Sequence, residues 1–187
     1  MLIHIKNMVC DRCKMIVGQQ LESLGFTVKL VALGQAEVTP EPTEEQLQMI
    51  AANLKVSGFE LISKEMDKTV EAIKNVVVEL VHHSDLSEIK VSYSDLIASK
   101  LGKDYAHLSR LFSNSQDTTI ERFIIGQKVE KIKELLEYGE LNLNEIAYQM
   151  GYSSSAHLSA QFKSITGLTP SQYKTNKFKS RKSLDRL

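Results

Sequence analysis

The second half of this chain repeats itself. Slid by about 50 positions, Leu96-Ile97-Ala98-Ser99-Lys100-Leu101-Gly102 and then Ala106-His107-Leu108-Ser109-Arg110-Leu111-Phe112 fall on Glu145-Ile146-Ala147-Tyr148-Gln149-Met150-Gly151 and then Ala156-His157-Leu158-Ser159-Ala160-Gln161-Phe162. The match continues downstream, where Phe112 is followed eleven residues later by Phe123 and Phe162 eleven residues later by Tyr173. Asp117 and Thr119 lie between in one copy, Gly167 and Thr169 in the other. Two copies are too few for a solenoid, so the pattern specifies a duplicated helical module. Each copy carries a small Ala inside a short amphipathic helix, where helices can approach closely. A Gly able to take the positive φ that ends that helix follows, and then a second short helix. These are the ingredients of a helix-turn-helix.

On the second helix of copy one, Leu108, Leu111 and Phe112 form an apolar stripe, which leaves Ala106, Ser109, Arg110 and Ser113 facing out. A small, polar face with one guanidinium suits a major groove about 12 Å wide, where Arg can bond a guanine edge in bidentate fashion. In copy two the equivalent face is Ser155, Ala156, Ser159, Ala160 and Lys163, with Gln161 turned partly inward. Lys103 and Tyr105 at the entry to the first of these helices, and Ser153 and Ser154 at the entry to the second, complete the expected contact set. The bland alternatives stand beside this reading. Helix, Gly, helix segments also occur in all-α domains that bind protein, Tyr105 and Tyr152 are more commonly packing residues, and His107 and His157 read as structural histidines beside the core. His82-His83 reads as a solvated last turn complementing a helix dipole.

Residues 1–66 have a different texture. Leu2 to Met8 alternates with period two and predicts a strand. Met15, Ile16, Gln19, Leu21 and Leu24 follow a helical spacing that stops at Gly25. Phe26 to Val31 and Ala36 to Thr39 predict a hairpin about Leu33-Gly34-Gln35. Thr43 and Gln46 are placed for a capping box ahead of Leu47, Ile50 and Leu54, and Gly58 precedes a last strand Phe59-Glu60-Leu61-Ile62. The order strand, helix, strand, strand, helix, strand is the split βαβ, ferredoxin-like arrangement. The expected fold class is thus an α+β N-terminal ferredoxin-like βαββαβ domain over 1–66, then an all-α domain of two helix-turn-helix subdomains joined by a linker helix over 67–175. A basic tail, 176–187, follows. The joint is Lys64-Glu65-Met66-Asp67, a charged stretch that could equally be helical.

Cys10 and Cys13 are the only cysteines, too few for a disulfide framework. Between a strand and a helix start, where the helix dipole is expected to lower thiol pKa, they can converge on one soft ion such as Cu(I). Two thiolates do not complete the tetrahedral shell of Zn²⁺. Redox sensing by a Cys10–Cys13 pair and a partner-binding module with incidental cysteines are the competing readings. His4, on the open side of the sheet, and Met8, in the core, are not expected to be ligands.

Residues 67–175 resemble the C-terminal domain of the AraC family of transcriptional regulators. The resemblance rests on Leu108-Ser109-Arg110-Leu111-Phe112, Lys128 to Leu136, Leu143-Asn144-Glu145-Ile146-Ala147, Met150 to Ser159, Phe162-Lys163 and Gly167-Leu168-Thr169-Pro170-Ser171-Gln172-Tyr173. It implies a bacterial, cytoplasmic regulator that engages double-stranded DNA through two successive major-groove segments. A monomer can do this, so the oligomeric state stays open. Asp117 stands where the first copy usually has Gly, Lys128 at a usual Arg, and Ala160 where a base-reading Arg is often found. The first two substitutions are tolerable, because Asp accepts the αL conformation and Lys keeps the charge. Ala160 weakens base reading by copy two. Residues 1–64 resemble heavy-metal-associated domains of the copper-chaperone and metal-ATPase kind, through Met8-Val9-Cys10-Asp11-Arg12-Cys13 and the Ser57-Gly58-Phe59 turn, with Asn7 at a usual Gly.

The formal charge of zero conceals an asymmetry: residues 1–66 carry −2, 67–173 carry −3 and 174–187 carry +5. Lys174, Lys177, Lys179, Arg181, Lys182 and Arg186 make a tail that could follow phosphates. No run approaches the roughly 20 apolar residues of a membrane span, and no signal peptide is read at the N-terminus. No His-Glu-x-x-His, Gly-rich phosphate loop or Ser-His-Asp order points to an enzyme. The expected function is sequence-specific DNA binding in transcription regulation, with the small domain answering a soft metal or a protein partner. The alternative is a metal-binding adaptor, chaperone or redox sensor whose helical half binds protein.

Overall fold

A computed structural model describes residues 1–84, 86, 91–176 and 181–186. The chain divides into two compact units, Met1–Asn75 and Val76–Leu187.

The first unit runs β1 (Leu2–Lys6), α1 (Asp11–Ser23), β2 (Thr27–Ala32), β3 (Gln35–Thr39), α2 (Glu44–Val56) and β4 (Glu60–Ile62). Its four strands form one sheet in the order β2-β3-β1-β4, every neighbouring pair antiparallel. Ile3 sits opposite Ala36 and Ile5 opposite Leu61. The period of two thereby sends Ile3, Ile5, Ala36 and Val38 to the core with Val17, Leu21, Ile50 and Leu54 of the helices. Thr43 and Gln46 form the expected capping box, with Gln46 Oε1 accepting from Thr43 N at 2.9 Å and Thr43 Oγ1 accepting from Gln46 N at 3.3 Å. One expectation is corrected. Met15 and Ile16 are exposed at 62% and 40%, and the inward stripe of α1 is Val17 and Leu21 with Cys13 and Leu24 beside them. Spacing alone fits either stripe, and contact with the sheet selects the one four residues apart on the Cys13 side.

At the position where glycine is usual, Asn7 takes φ 71° and its side-chain Nδ2 donates to Gly58 O at 2.8 Å. Asn is among the few residues that adopt this region readily. Gly34, at φ 80° in the hairpin, is needed for a second reason: a Cβ there would collide with the Asn75 side chain.

The charged joint is helical. α3 (Glu65–His83) begins before the expected boundary at residue 67, and the division between the units falls inside it, after Asn75. Its early residues serve the first unit, where Glu71 Oε1 accepts from Asn7 N at 3.0 Å. Its last turns serve the second, where Glu79 pairs with Lys100 at 2.8 Å. His82 is not solvated: its Nε2 meets Gln127 Oε1 at 2.9 Å, and burial holds its pKa down to about 4. It is therefore neutral at pH 7 and cannot complement the helix dipole as a cation.

The described remainder of the second unit is helical: α4 (Tyr93–Leu101), α5 (Tyr105–Gln116), α6 (Ile120–Tyr138), α7 (Leu143–Gln149), α8 (Ser155–Thr166) and α9 (Pro170–Thr175). The sequence repeat is a repeat of packing. Phe112 meets Phe123 and Phe162 meets Tyr173, each with ring centroids 5.6 Å apart. Asp117 and Gly167, the paired C-caps of α5 and α8, both adopt the left-handed conformation, at φ 46° and 77°. Thr119 and Thr169 then cap α6 and α9 by accepting from Arg122 N and Gln172 N, each at 3.2 Å. No helix among the described residues is long and apolar enough to cross a membrane.

Candidate nucleic-acid interface

Two capped turns place the second helix of each module. Gly102 closes α4 in the left-handed conformation, and Asp104 Oδ1 then accepts from His107 N at 3.0 Å to start α5. In the other copy Gly151 takes φ 66°, and Ser154 Oγ accepts from His157 N at 3.1 Å to start α8. Each such cap stabilises its helix by about 1 kcal/mol. Burial then repeats residue for residue. Leu108 and Phe112 in α5, like Leu158 and Phe162 in α8, are fully buried, and each such side chain contributes roughly 1.5–3 kcal/mol.

Opposite those stripes lie the exposed faces. Ala106 and Arg110 are exposed on α5, and Ala156, Ala160 and Lys163 on α8, whereas Ser109, Ser113, Ser155 and Ser159 are half-buried at the flanks. Neither helix contains Asp or Glu. Arg110 Nε reaches back to Ala106 O at 3.3 Å. Lys103 is exposed in the α4–α5 turn, where its backbone N–H donates to Ala98 O at 3.2 Å. Ser153 is exposed, and its hydroxyl meets His157 Nδ1 at 3.2 Å. Two residues are committed internally. Tyr105 donates its hydroxyl to Glu121 at 2.6 Å; burial and then this bond hold the tyrosine pKa well up, and the bond holds the Glu121 carboxyl down against the opposing effect of burial. Gln161 Oε1 accepts from Tyr152 OH at 2.6 Å.

His107 and His157 do not lie beside the core. Both are exposed, because the inward position is the leucine that follows each. With Asn114 and Ser164, also exposed, they extend the outward faces beyond the expected set. A wheel drawn at 100° per residue about Leu108 and Phe112 contains that signal.

The tail is partly spoken for. Arg181 pairs with Glu134 at 3.1 Å, Lys182 N donates to Glu130 Oε2 at 2.9 Å, and Gln127 Nε2 donates to Leu184 O at 2.9 Å. Lys177, Lys179 and the Arg186 side chain, expected to follow phosphates, lie outside the described residues.

In the first unit Cys10 Sγ and Cys13 Sγ stand 3.3 Å apart at the start of α1, both half-buried. Burial raises the Cys13 thiol despite the backbone N–H groups nearby, which corrects the expectation of a lowered pKa. Met8 is fully buried, as expected. His4 is half-buried, and burial followed by the Lys68 charge lowers its pKa. Among the described residues no group of three or more His, Cys, Asp or Glu side chains is placed to hold a metal.

Residues 97–176 match the helix-turn-helix domain family. The chain is 28% identical over 111 residues to the Msm operon regulatory protein of Streptococcus mutans, covering 59% of this chain and 39% of that protein. It is 26% identical over 131 residues to the HTH-type transcriptional regulator YdeC of Bacillus subtilis, covering 69% and 43%. An HTH-type transcriptional regulator of Staphylococcus aureus is 34% identical over 97 residues, covering 52% of this chain and 12% of that one. The chain thus spans less than half the length of these relatives. Among solved structures, the C-terminal domain of AraT, a response regulator from Geobacillus stearothermophilus, superposes with a TM-score of 0.51 at 23% identity, covering 59% of this chain and 87% of that one. Over residues 97–176 this chain is therefore similar to the helix-turn-helix domains of transcriptional regulators, and its fold there is that of the AraT C-terminal domain.

Proposed function

We propose that this chain is a sequence-specific DNA-binding regulator of transcription that acts in the cytoplasm through α5 and α8. The observation that carries the reading is the pair of capped helices with matching burial over 105–112 and 155–162, each presenting an exposed face that holds small residues and no carboxylate. Small side chains let a helix enter the major groove, and the absence of acid avoids repulsion from phosphates. Selection of bound duplexes from a random pool, followed by titration at stepped salt, tests it. Enrichment of one sequence with binding that weakens linearly in log[salt] is expected, and an absence of salt-dependent binding would sink the proposal. The exposed face of α8 lacks a long base-reading side chain, so Arg110 on α5 is assigned the direct reading and Lys163 a phosphate.

For the first unit we propose a ferredoxin-like domain of the heavy-metal-associated kind that binds a soft ion at Cys10 and Cys13. Its element and sheet order support the fold. The two sulfurs 3.3 Å apart, with no third ligand among the described residues, fit an ion content with few ligands, such as Cu(I), better than Zn²⁺. The ion supplies charge and a crosslink between loop and helix, and the raised Cys13 thiol must give up its proton to it, so affinity rises with pH. Binding changes DNA occupancy only if the ion favours one of two states of the protein. Competition against a Cu(I) chelator should show one ion per chain, lost in Cys10→Ser and in Cys13→Ser. Equal retention by both variants rules the site out. The same 3.3 Å separation also supports a redox reading, in which a Cys10–Cys13 disulfide replaces the ion. Oxidation that alters DNA affinity in metal-free protein distinguishes the two.

A further inference from the structure

The second unit contains a cleft of about 390 Å³ that neither helix-turn-helix builds alone. Tyr93 at the start of α4 and Tyr105 at the start of α5 contribute one wall, Tyr152 and His157 the other, and α6 the floor between them. On that floor Lys128 extends its ammonium over two rings, with Nζ 4.7 Å from the Tyr152 centroid and 5.4 Å from the Tyr93 centroid. Its neighbours along α6 are treated differently: Lys131 pairs with Glu134 at 3.2 Å and Lys133 with Glu130 at 2.7 Å. Lys128 meets no carboxylate within ion-pair distance among the described residues. Glu121, which lines the same cleft, is occupied by the Tyr105 hydroxyl at 2.6 Å, and Gln161 by that of Tyr152 at 2.6 Å. A half-buried ammonium with three donors is thus left facing two π-clouds and an open cleft.

We propose that Lys128 receives one backbone phosphate of the duplex segment lying between the two major-groove contacts, so that the linker helix α6 forms a third anchor on DNA. This rests on the DNA-binding reading of α5 and α8. The cleft is walled by both modules, so its occupant faces the stretch of duplex between their grooves, where phosphates are the outermost groups. The start of α4, the helix that crosses the DNA backbone in helix-turn-helix docking, lies on its rim beside the start of α5. A phosphate oxygen supplies the acceptor and the charge that the protein withholds from Lys128.

The protonation of Lys128 gives a signature of its own. Burial lowers its pKa to about 8 in the free protein, and a bound phosphate raises it. Affinity is then constant below about pH 8 and falls as pH rises past it, until the pKa of the complex is reached. The other titratable groups facing the ammonium are Tyr93, Tyr105, Tyr152, Glu121 and His157. All five remain in Lys128→Arg, whose guanidinium does not titrate, so the difference between the two profiles belongs to Lys128.

The experiment measures binding of the full chain to its selected duplex against salt and against pH from roughly 7 to 9.5, for the wild type, Lys128→Arg and Lys128→Gln. Wild-type affinity should fall by up to tenfold per pH unit above about pH 8 while Lys128→Arg stays flat. Lys128→Gln should lose about 0.9 from the slope of log K against log[salt], with the selected sequence unchanged. Coincident pH profiles for the wild type and Lys128→Arg overturn the proposal without reference to whether the glutamine variant folds. Heat stabilisation of the DNA-free wild type, but not of Lys128→Gln, by millimolar inorganic phosphate would assign the cleft to a free anion and overturn the backbone contact. A wild type with no salt-dependent binding removes the DNA reading and this one together, whereas retained binding with flat pH behaviour removes this one alone.

Discussion

Arg110→Ala is expected to relax the preference for a single base pair by about 1–3 kcal/mol, roughly 5- to 150-fold, while binding to unrelated duplexes weakens much less. The expectation follows from how the two modules differ. Both α5 and α8 start from a side-chain cap and share one burial pattern over 105–112 and 155–162, but the third exposed position holds Arg110 in one and Ala160 in the other. A guanidinium offers a flat fork matched to the two acceptors of guanine, and Arg110 has no carboxylate partner among the described residues to give up before using it. Its bond from Nε to Ala106 O leaves both terminal nitrogens for such a fork. Lys163→Ala serves as the control: it removes a point charge, so all duplexes should weaken alike and the salt slope should drop by about one. Competition between the selected duplex and its single-base variants reads both effects. An unchanged order of preference in Arg110→Ala would transfer the reading of bases to other residues, with His107 and Asn114 on the same face the first to test.

Most of what positions this surface can be read from the sequence because it is local. Helix starts at Thr43, Asp104, Thr119, Ser154 and Thr169 are set by side chains three residues from the groups they satisfy, and all are capped as such residues dictate. Positive φ falls on Asn7 and Asp117, residue types that tolerate it. The repeat identifies its own core, since Phe112 with Phe123 and Phe162 with Tyr173 recur at one spacing. What the sequence conceals depends on partners distant along the chain. His82 is neutral because the fold buries it, which lowers its pKa despite the bond to Gln127, 45 residues on. Arg181 is neutralised by Glu134, 47 residues earlier, so net charge overstates what that tail can offer a phosphate. Lys128 reads as an ordinary linker-helix cation until Tyr93 and Tyr152 are brought over it from both modules. Such residues are displaced from their expected roles by tertiary contacts that no local pattern encodes.

Phe162→Ala is expected to destabilise the second module by about 3–5 kcal/mol, most of the stability an ordinary domain possesses. Phe162 is fully buried, and its ring meets Tyr173 edge-on at 76°, so the substitution loses transfer energy, leaves a cavity and removes an aromatic pair. Tyr173 also donates its hydroxyl to Glu137 on α6 at 2.8 Å, so the loss spreads to the helix that joins the modules. Tyr173→Phe separates the two contributions. It keeps the ring pair and removes only the hydroxyl's bond, at a cost of about 1 kcal/mol. Amide exchange should localise the larger effect. In Phe162→Ala, protection should collapse through 143–175 while amides of β1 and β3, in the other compact unit, keep theirs. DNA binding should fall toward that of one module, with a shallower salt slope. Phe112→Ala, its counterpart by packing, should instead cost the module that carries Arg110 and abolish sequence preference. If both substitutions unfold β1 and β3 as well, the units fold as one cooperative body, and the relation between domains must be energetic as well as covalent.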